Sequence, residues 1–160
     1  VYKRQAVGSD YKNNIGESHE PETHLIPNIL NSILLNSSEP SLKIFGNDYP
    51  THDGSCIRDY INVMDIAEAH IKGMEWLETN KGFHKMNLGT GQGCSVLEII
   101  EVCEKITNQT INFSIEPRRQ GDPHTLVANA YNAAENLNWK PQISIEESII
   151  EAYEWAKLKH

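Results

Sequence analysis

Apolar residues recur along this chain at two spacings, one helical and one extended, that alternate from end to end. Leu25, Ile26, Ile29, Leu30 and Ile33 share one helical face, which predicts a helix over residues 23–36. Pro27 then falls in its first turn, where a missing N–H costs nothing. An extended run over residues 42–45 follows, closed by Gly46-Asn47-Asp48. A polar loop leads through Cys56 to a second extended run, residues 60–63, after which Asp65 is expected to cap a helix turning Ile66, Ala69, His70, Gly73 and Leu77 inward. Residues 83–88 read as a strand entering Gly89-Thr90-Gly91-Gln92-Gly93. Ser95 and Glu98 have the spacing of a capping box, ahead of a helix with Val96, Ile99, Ile100 and Cys103 on one face. Alternation at Ile111, Phe113 and Ile115 predicts a strand with one buried face. Beyond the turn-rich residues 117–123, a short helix near residues 130–137 precedes Trp139 and Pro141. A second capping box, Ser144 with Glu147, opens a last helix that buries Ile145, Ile149, Ala152 and Tyr153. The class is mixed α/β. Its strands are few and short, so the chain reads as part of a larger α/β body.

Composition narrows the possibilities. The 160 residues carry 14 basic and 22 acidic groups, a formal charge of −8, which argues against non-specific binding to nucleic acid. Hydrophobic residues at 39% and charged residues at 22% are ordinary for a globular protein and too apolar for disorder. No apolar run approaches the roughly 20 residues of a membrane span, and Val1-Tyr2-Lys3-Arg4-Gln5 starts no signal peptide. Cys56, Cys94 and Cys103 form no Cys-x-x-Cys, which fits reduced thiols in a cytoplasmic protein.

Arginine is the scarce cation and so the informative one. Beyond Arg4 there are only Arg58, in Cys56-Ile57-Arg58-Asp59-Tyr60, and the pair in Arg118-Arg119-Gln120-Gly121-Asp122. Guanidinium grips phosphate in a two-pronged geometry that lysine cannot match, so these loops are where an anionic ligand is expected, with Asp122 able to accept from sugar hydroxyls. Surface salt bridging is the plainer alternative. Gly89-Thr90-Gly91-Gln92-Gly93-Cys94 imitates a dinucleotide fingerprint but puts Cys94 where the third glycine should stand, and reads as a strand-to-helix turn. Tyr153 and Lys157 have the Tyr-x-x-x-Lys spacing of short-chain dehydrogenases, yet on the last helix they read as core filler and an exposed cation. No His-x-His or His-x-x-x-His pair occurs, and no metal is expected.

Together these strings resemble a known family. Glu22-Thr23-His24-Leu25-Ile26-Pro27, Leu42-Lys43-Ile44-Phe45-Gly46-Asn47-Asp48-Tyr49-Pro50-Thr51 and Asp53-Gly54-Ser55-Cys56-Ile57-Arg58-Asp59-Tyr60-Ile61 are similar to the UDP-glucose 4-epimerases, as are Asn87-Leu88-Gly89, Arg118-Arg119-Gln120-Gly121-Asp122 and Leu137-Asn138-Trp139-Lys140-Pro141. The resemblance runs from Ala6 to His160 and implies the C-terminal half of an extended short-chain dehydrogenase fold. That half is the UDP-sugar-binding portion plus elements that pack on a missing Rossmann sheet. By the same resemblance, the whole enzyme interconverts UDP-glucose and UDP-galactose with NAD used catalytically, and is a homodimer in the cytoplasm. The NAD loop and the catalytic groups belong to an N-terminal half, so no catalytic or cofactor-binding residue is expected here. Arg58 and Arg119 match the family's diphosphate-contacting arginines, and Asp122 its ribose-binding acid. Lys43, Ile44 and Phe45 match the strand against the uracil. His24 and Leu25 match a helix start near the nucleotide, and Leu126 borders the sugar's 2-substituent. Residues 1–5 depart from the family pattern and read as a foreign leader. Strand faces and the helix around Leu25 are expected to lack a packing partner. Rival readings are a fragment of another nucleotide-sugar dehydratase or decarboxylase, disfavoured by residues 45–60, and a UDP-sugar-binding module without catalysis.

Overall fold

The computed structural model describes residues 5–35 and 42–159, so Val1–Arg4 of the expected leader and Asn36 of the first expected helix lie outside the described residues. Among the described residues five α-helices and seven short strands follow in the order β1 (Ala6–Val7), α1 (Leu25–Leu34), β2 (Leu42–Phe45), β3 (Ile57–Arg58), β4 (Ile61–Asn62), α2 (Val63–Thr79), β5 (Cys94–Ser95), α3 (Val96–Thr107), β6 (Phe113–Glu116), β7 (Thr125–Leu126), α4 (Tyr131–Leu137) and α5 (Ile145–Lys159). They pair into three small sheets. β1 lies parallel to β4, and β2 parallel to β6 with Leu42 opposite Phe113 and Phe45 opposite Glu116. β3 is central in the third, antiparallel to β5 and parallel to β7.

Two cores hold these pieces together. Ile26, Ile29, Leu30 and Ile33 of α1 pack with Ile44 of β2, Ile99, Ile100 and Cys103 of α3, and Ile149 of α5. The expected loss of a partner for this helix does not occur, because α3 and α5 cover it. Ile61, Ala69, Leu88, Ala133 and Trp139 form the second core, between α2 and α4. Tyr60 belongs to the first and Ile61 to the second, so adjacent residues on an extended segment send opposite faces into different cores.

Both capping boxes form: Ser95 and Glu98 exchange bonds at the start of α3, and Ser144 and Glu147 at the start of α5. Four expectations fail. Asn62, not Asp65, caps α2, its Oδ1 accepting from Met64 N–H at 2.7 Å. Asp65 lies within the first turn, where its carboxylate accepts from Gln142 and Ile143 N–H and its carbonyl from the Trp139 indole. On α2 only Ala69 of the expected inward set is fully buried. His70 and Leu77 are exposed with Ile71 and Met74, so the helix offers an apolar outer face. Residues 83–88 form no strand, because no described strand pairs with them; Phe83 stands 84% exposed. Ile111, ahead of β6, and Phe113, in it, turn inward, but Ile115 is 51% exposed on the open side of a two-stranded sheet.

The most heavily bonded polar group is Asp59, fully buried. Its Oδ1 accepts from Thr90 N–H (2.9 Å) and Thr90 hydroxyl (2.5 Å), and its Oδ2 from the N–H groups of Gly91 and Ala128, both 3.1 Å. Gly89 packs directly on this carboxylate and on Ala128, where a Cβ would fall 2.4–2.5 Å from either. Replacing Asp59 by Ala strands buried N–H groups from two segments and should lower unfolding free energy by about 3 kcal/mol, read from urea denaturation of the chain.

Burial raises the thiols of Cys94 and Cys103 from 9.0 to about 12. The unfolded chain therefore loses these protons first. Stability should be level below pH 9 and fall as pH rises from 9 toward 12, a slope that Cys103→Ala reduces in pH-dependent denaturation.

Candidate functional site

Pairing of β3 with β7 sets Arg58 opposite Leu126, and Ile57 accepts no gap between them: its N–H donates to His124 C=O at 2.9 Å. Arg58 is 9% exposed. Its Nη1 donates to the carbonyls of Ile57 and Pro123, each at 2.9 Å, and its Nη2 lies 3.3 Å from Asp122 Oδ1. Nε–H makes no hydrogen bond among the described residues, so a held, nearly buried cation keeps donor capacity unused. Strand pairing thus sets Arg58 beside Leu126, and the ion pair adds Asp122.

Phe45 and Arg119 form the second part. The Arg119 guanidinium lies over the Phe45 ring, 3.8 Å from its centroid, and makes no hydrogen bond among the described residues. Pairing of β2 with β6 occupies one edge of β2, and Gly46 N–H extends it to Glu116 C=O, so by alternation the backbone groups of Lys43 and Phe45 lie on the other edge, with which no described strand pairs. Ile44 turns into the core while Lys43 is exposed.

Between the two parts stands a pair that sequence reasoning missed. Arg118 stacks on Tyr49 at 4.3 Å, its Nε donates to Asp48 Oδ1 at 2.7 Å, and its Nη2 donates to the Asp48 carbonyl. The hydrogen bond from Arg118 holds the Asp48 carboxyl below the usual range. Gly46, at φ +87, has no room for a Cβ between Tyr49 and Arg118. The adjacent arginines thus stack on two aromatics of one loop, which locks residues 117–123 against residues 45–49. The signal was available in Gly46-Asn47-Asp48-Tyr49, though only as a turn. Tyr49 is buried, which raises its pKa, and its hydroxyl has no hydrogen-bond partner among the described residues.

The remaining expected residues lie at the start of α1. Leu25 packs on the core that contains Ile44. His24 is the N-cap residue and engages Glu22, not the arginines.

A cleft of about 970 Å³ opens elsewhere, lined by Tyr60 with residues 89–94, 128–131 and 139–146. None of the expected site residues lines it. The Gly89–Gly93 turn beside it is not a dinucleotide cradle: the Thr90 and Gly91 N–H groups that would meet a pyrophosphate are bonded to Asp59, and Gln92 N–H to Thr90 Oγ1. Cys94, at the sixth position, is in β5 rather than a helix. Tyr153 is half-buried against the first core, while Lys157 pairs with Glu154 at 2.6 Å, so the Tyr-x-x-x-Lys spacing on α5 serves packing. Among the described residues no helix is long and apolar enough to cross a membrane.

Comparison with known proteins supports this scaffold. A UDP-glucose 4-epimerase from Halalkalibacterium halodurans is 46% identical over 95% of this chain and 45% of its own length; one from Rhizobium leguminosarum bv. trifolii is 42% identical over 94% and 45%. The chain spans about half the length of the curated relatives it matches. Among solved structures, UDP-glucose 4-epimerase from Stenotrophomonas maltophila, with bound NAD and formylated UDP-arabinopyranose, superposes with a TM-score of 0.90 at 36% identity, covering 98% of this chain and 46% of that one. The enzyme from Bifidobacterium longum, in complex with NAD+ and UDP, gives 0.89 at 32%, covering 97% and 46%. The family model described as GDP-mannose 4,6 dehydratase matches residues 2–152. The chain therefore belongs to the GDP-mannose 4,6 dehydratase family, with a sequence and fold that match the C-terminal half of UDP-glucose 4-epimerases.

Proposed function

We propose that this chain, from Ala6 onward, is the UDP-sugar-binding portion of a UDP-glucose 4-epimerase, which interconverts UDP-glucose and UDP-galactose. The observation that carries this reading is a pair of contacts on one loop, Arg119 over Phe45 and Asp122 beside Arg58, with Asp122 N–H donating to Arg119 C=O and Arg118 fastening the loop to Tyr49. In it, Phe45 and the open edge of β2 receive the pyrimidine. Arg119 and Arg58 supply charged donors to the diphosphate, and Asp122 accepts from the ribose hydroxyls. The backbone at His24 and Leu25 closes the nucleotide side, and half-buried Leu126 borders the hexose. The chain's role is to hold and orient the nucleotide, so that binding energy remote from C4 places the sugar.

NAD is the cofactor of the whole enzyme in this reading, and its site lies outside these residues. The one glycine-rich turn with the right neighbours has spent its N–H donors on Asp59, so no hydride step is assigned here. The 160-residue chain by itself is therefore expected to form no UDP-galactose from UDP-glucose, assayed with NAD supplied.

The binding role is tested in the chain joined to a matching N-terminal half. Calorimetric titration should show UDP bound in preference to GDP, and Arg119→Ala should weaken UDP binding by roughly 10- to 150-fold, the cost of about 1.5–3 kcal/mol for a charged hydrogen bond. Tyr153→Phe should leave binding and turnover near the parent's. Preference for GDP would move the reading to the dehydratases.

A further inference from the structure

A second group of donors lies on the loop that enters α1. His19, Glu22 and His24 each present one ligand atom, all within 4.8 Å of one another. The loop is fastened on both sides. Upstream, the Trp155 indole donates to Glu17 C=O at 2.6 Å and Lys159 Nζ to Ser18 Oγ at 2.9 Å. Downstream, α1 begins at Leu25, whose side chain packs on the main core.

Within the loop, Glu22 Oε1 accepts from the backbone N–H groups of Thr23 (2.7 Å) and His24 (2.8 Å) and lies 2.8 Å from His24 Nδ1. Oε2 has no partner among the described residues. Partial burial pushes this carboxyl up, but the hydrogen bonds from His24 and Thr23 outweigh it and hold the group below its usual range. A turn ahead of α1 accounts for the carboxylate and the two N–H groups. It requires neither imidazole, yet the His19 ring meets the His24 ring edge-on with centroids 5.4 Å apart, on the same side as Glu22.

Two imidazoles and one carboxylate are a zinc-class donor set that leaves a fourth position open. Metal–ligand bonds of about 2.0–2.2 Å in a tetrahedron put ligand atoms roughly 3.4 Å apart. The separations here, from 2.8 Å to within 4.8 Å, straddle that value, and both histidines are exposed and can rotate to meet it. We propose that His19, Glu22 and His24 bind one zinc-class divalent cation, which fastens this loop to the start of α1. The spacing His-x-x-Glu-x-His matches no helical pair, which is why a search of the sequence for His-x-His and His-x-x-x-His passes over it.

The test is calorimetric titration of Zn²⁺ alone into the metal-free 160-residue chain and its His19→Gln and His24→Gln variants. One ion per chain should bind, and each substitution should weaken binding at least 10-fold or so, since losing even an outer-shell partner costs about that much. Zn²⁺ should also raise the melting temperature of the parent and not of the double variant. Circular dichroism of the variants should match the parent, because neither ring contributes to a core. No uptake by the parent overturns the proposal, as does uptake that both variants retain unchanged, which assigns the ion to thiols such as those of Cys56, Cys94 and Cys103. The readout is metal binding and does not depend on the UDP-sugar reading.

Discussion

A buried carboxylate with four donors is the constraint on which the rest of this molecule depends. Asp59 takes bonds from Thr90 and Gly91 on one side and Ala128 on the other, so three segments far apart in sequence meet at one side chain. A charge in that position holds only because each oxygen is met by donors in fixed places. Consecutive residues of an extended segment face opposite ways, so anchoring Asp59 inward turns Arg58 toward Asp122 and Pro123. The cation of the candidate site is placed by the structural carboxylate beside it.

A second carboxylate works the same way at lower multiplicity. Asp65 receives Gln142 and Ile143 N–H while its backbone carbonyl receives the Trp139 indole, which ties α2 to the segment leading into α5. Trp139 is fully buried and its ring fills the second core. An aromatic of that size needs a partner for its N–H, and the first turn of α2 supplies one. The strands are too short to hold the molecule by their ladders. Side-chain carboxylates and two apolar cores take that part.

Where the sequence was legible, local chemistry decided the outcome. Capping boxes at Ser95 and Ser144 need only residues three apart, and both formed. The periodicity of Ile26, Ile29, Leu30 and Ile33 named a buried face whatever partner covered it. Pairing is non-local, and there the reading lost accuracy: β1, β5 and β7 have two residues each and no alternation to see, and residues 83–88 alternate weakly with no described strand beside them. Asp65 carried the composition of a cap but was claimed by the segment after Trp139, while Asn62 was passed over. In the candidate site, arginine scarcity singled out Arg58 and the Arg118–Arg119 pair, and the family resemblance chose Arg119 of the two. The part of Arg118 was invisible, because it depends on a stack with Tyr49 that only the folded loops create.

The stack of Arg119 on Phe45 has a consequence for the ligand-free protein. An aromatic ring positioned to receive a flat heterocycle is ordinarily a wet apolar surface and an invitation to self-association. Here a planar cation from the same site covers that ring at 3.8 Å, so the surface stays charged until a ligand arrives. Uncovering the ring forfeits about 0.5–2 kcal/mol of cation–π attraction. The cover thus keeps Phe45 from presenting a bare apolar face to neighbouring molecules.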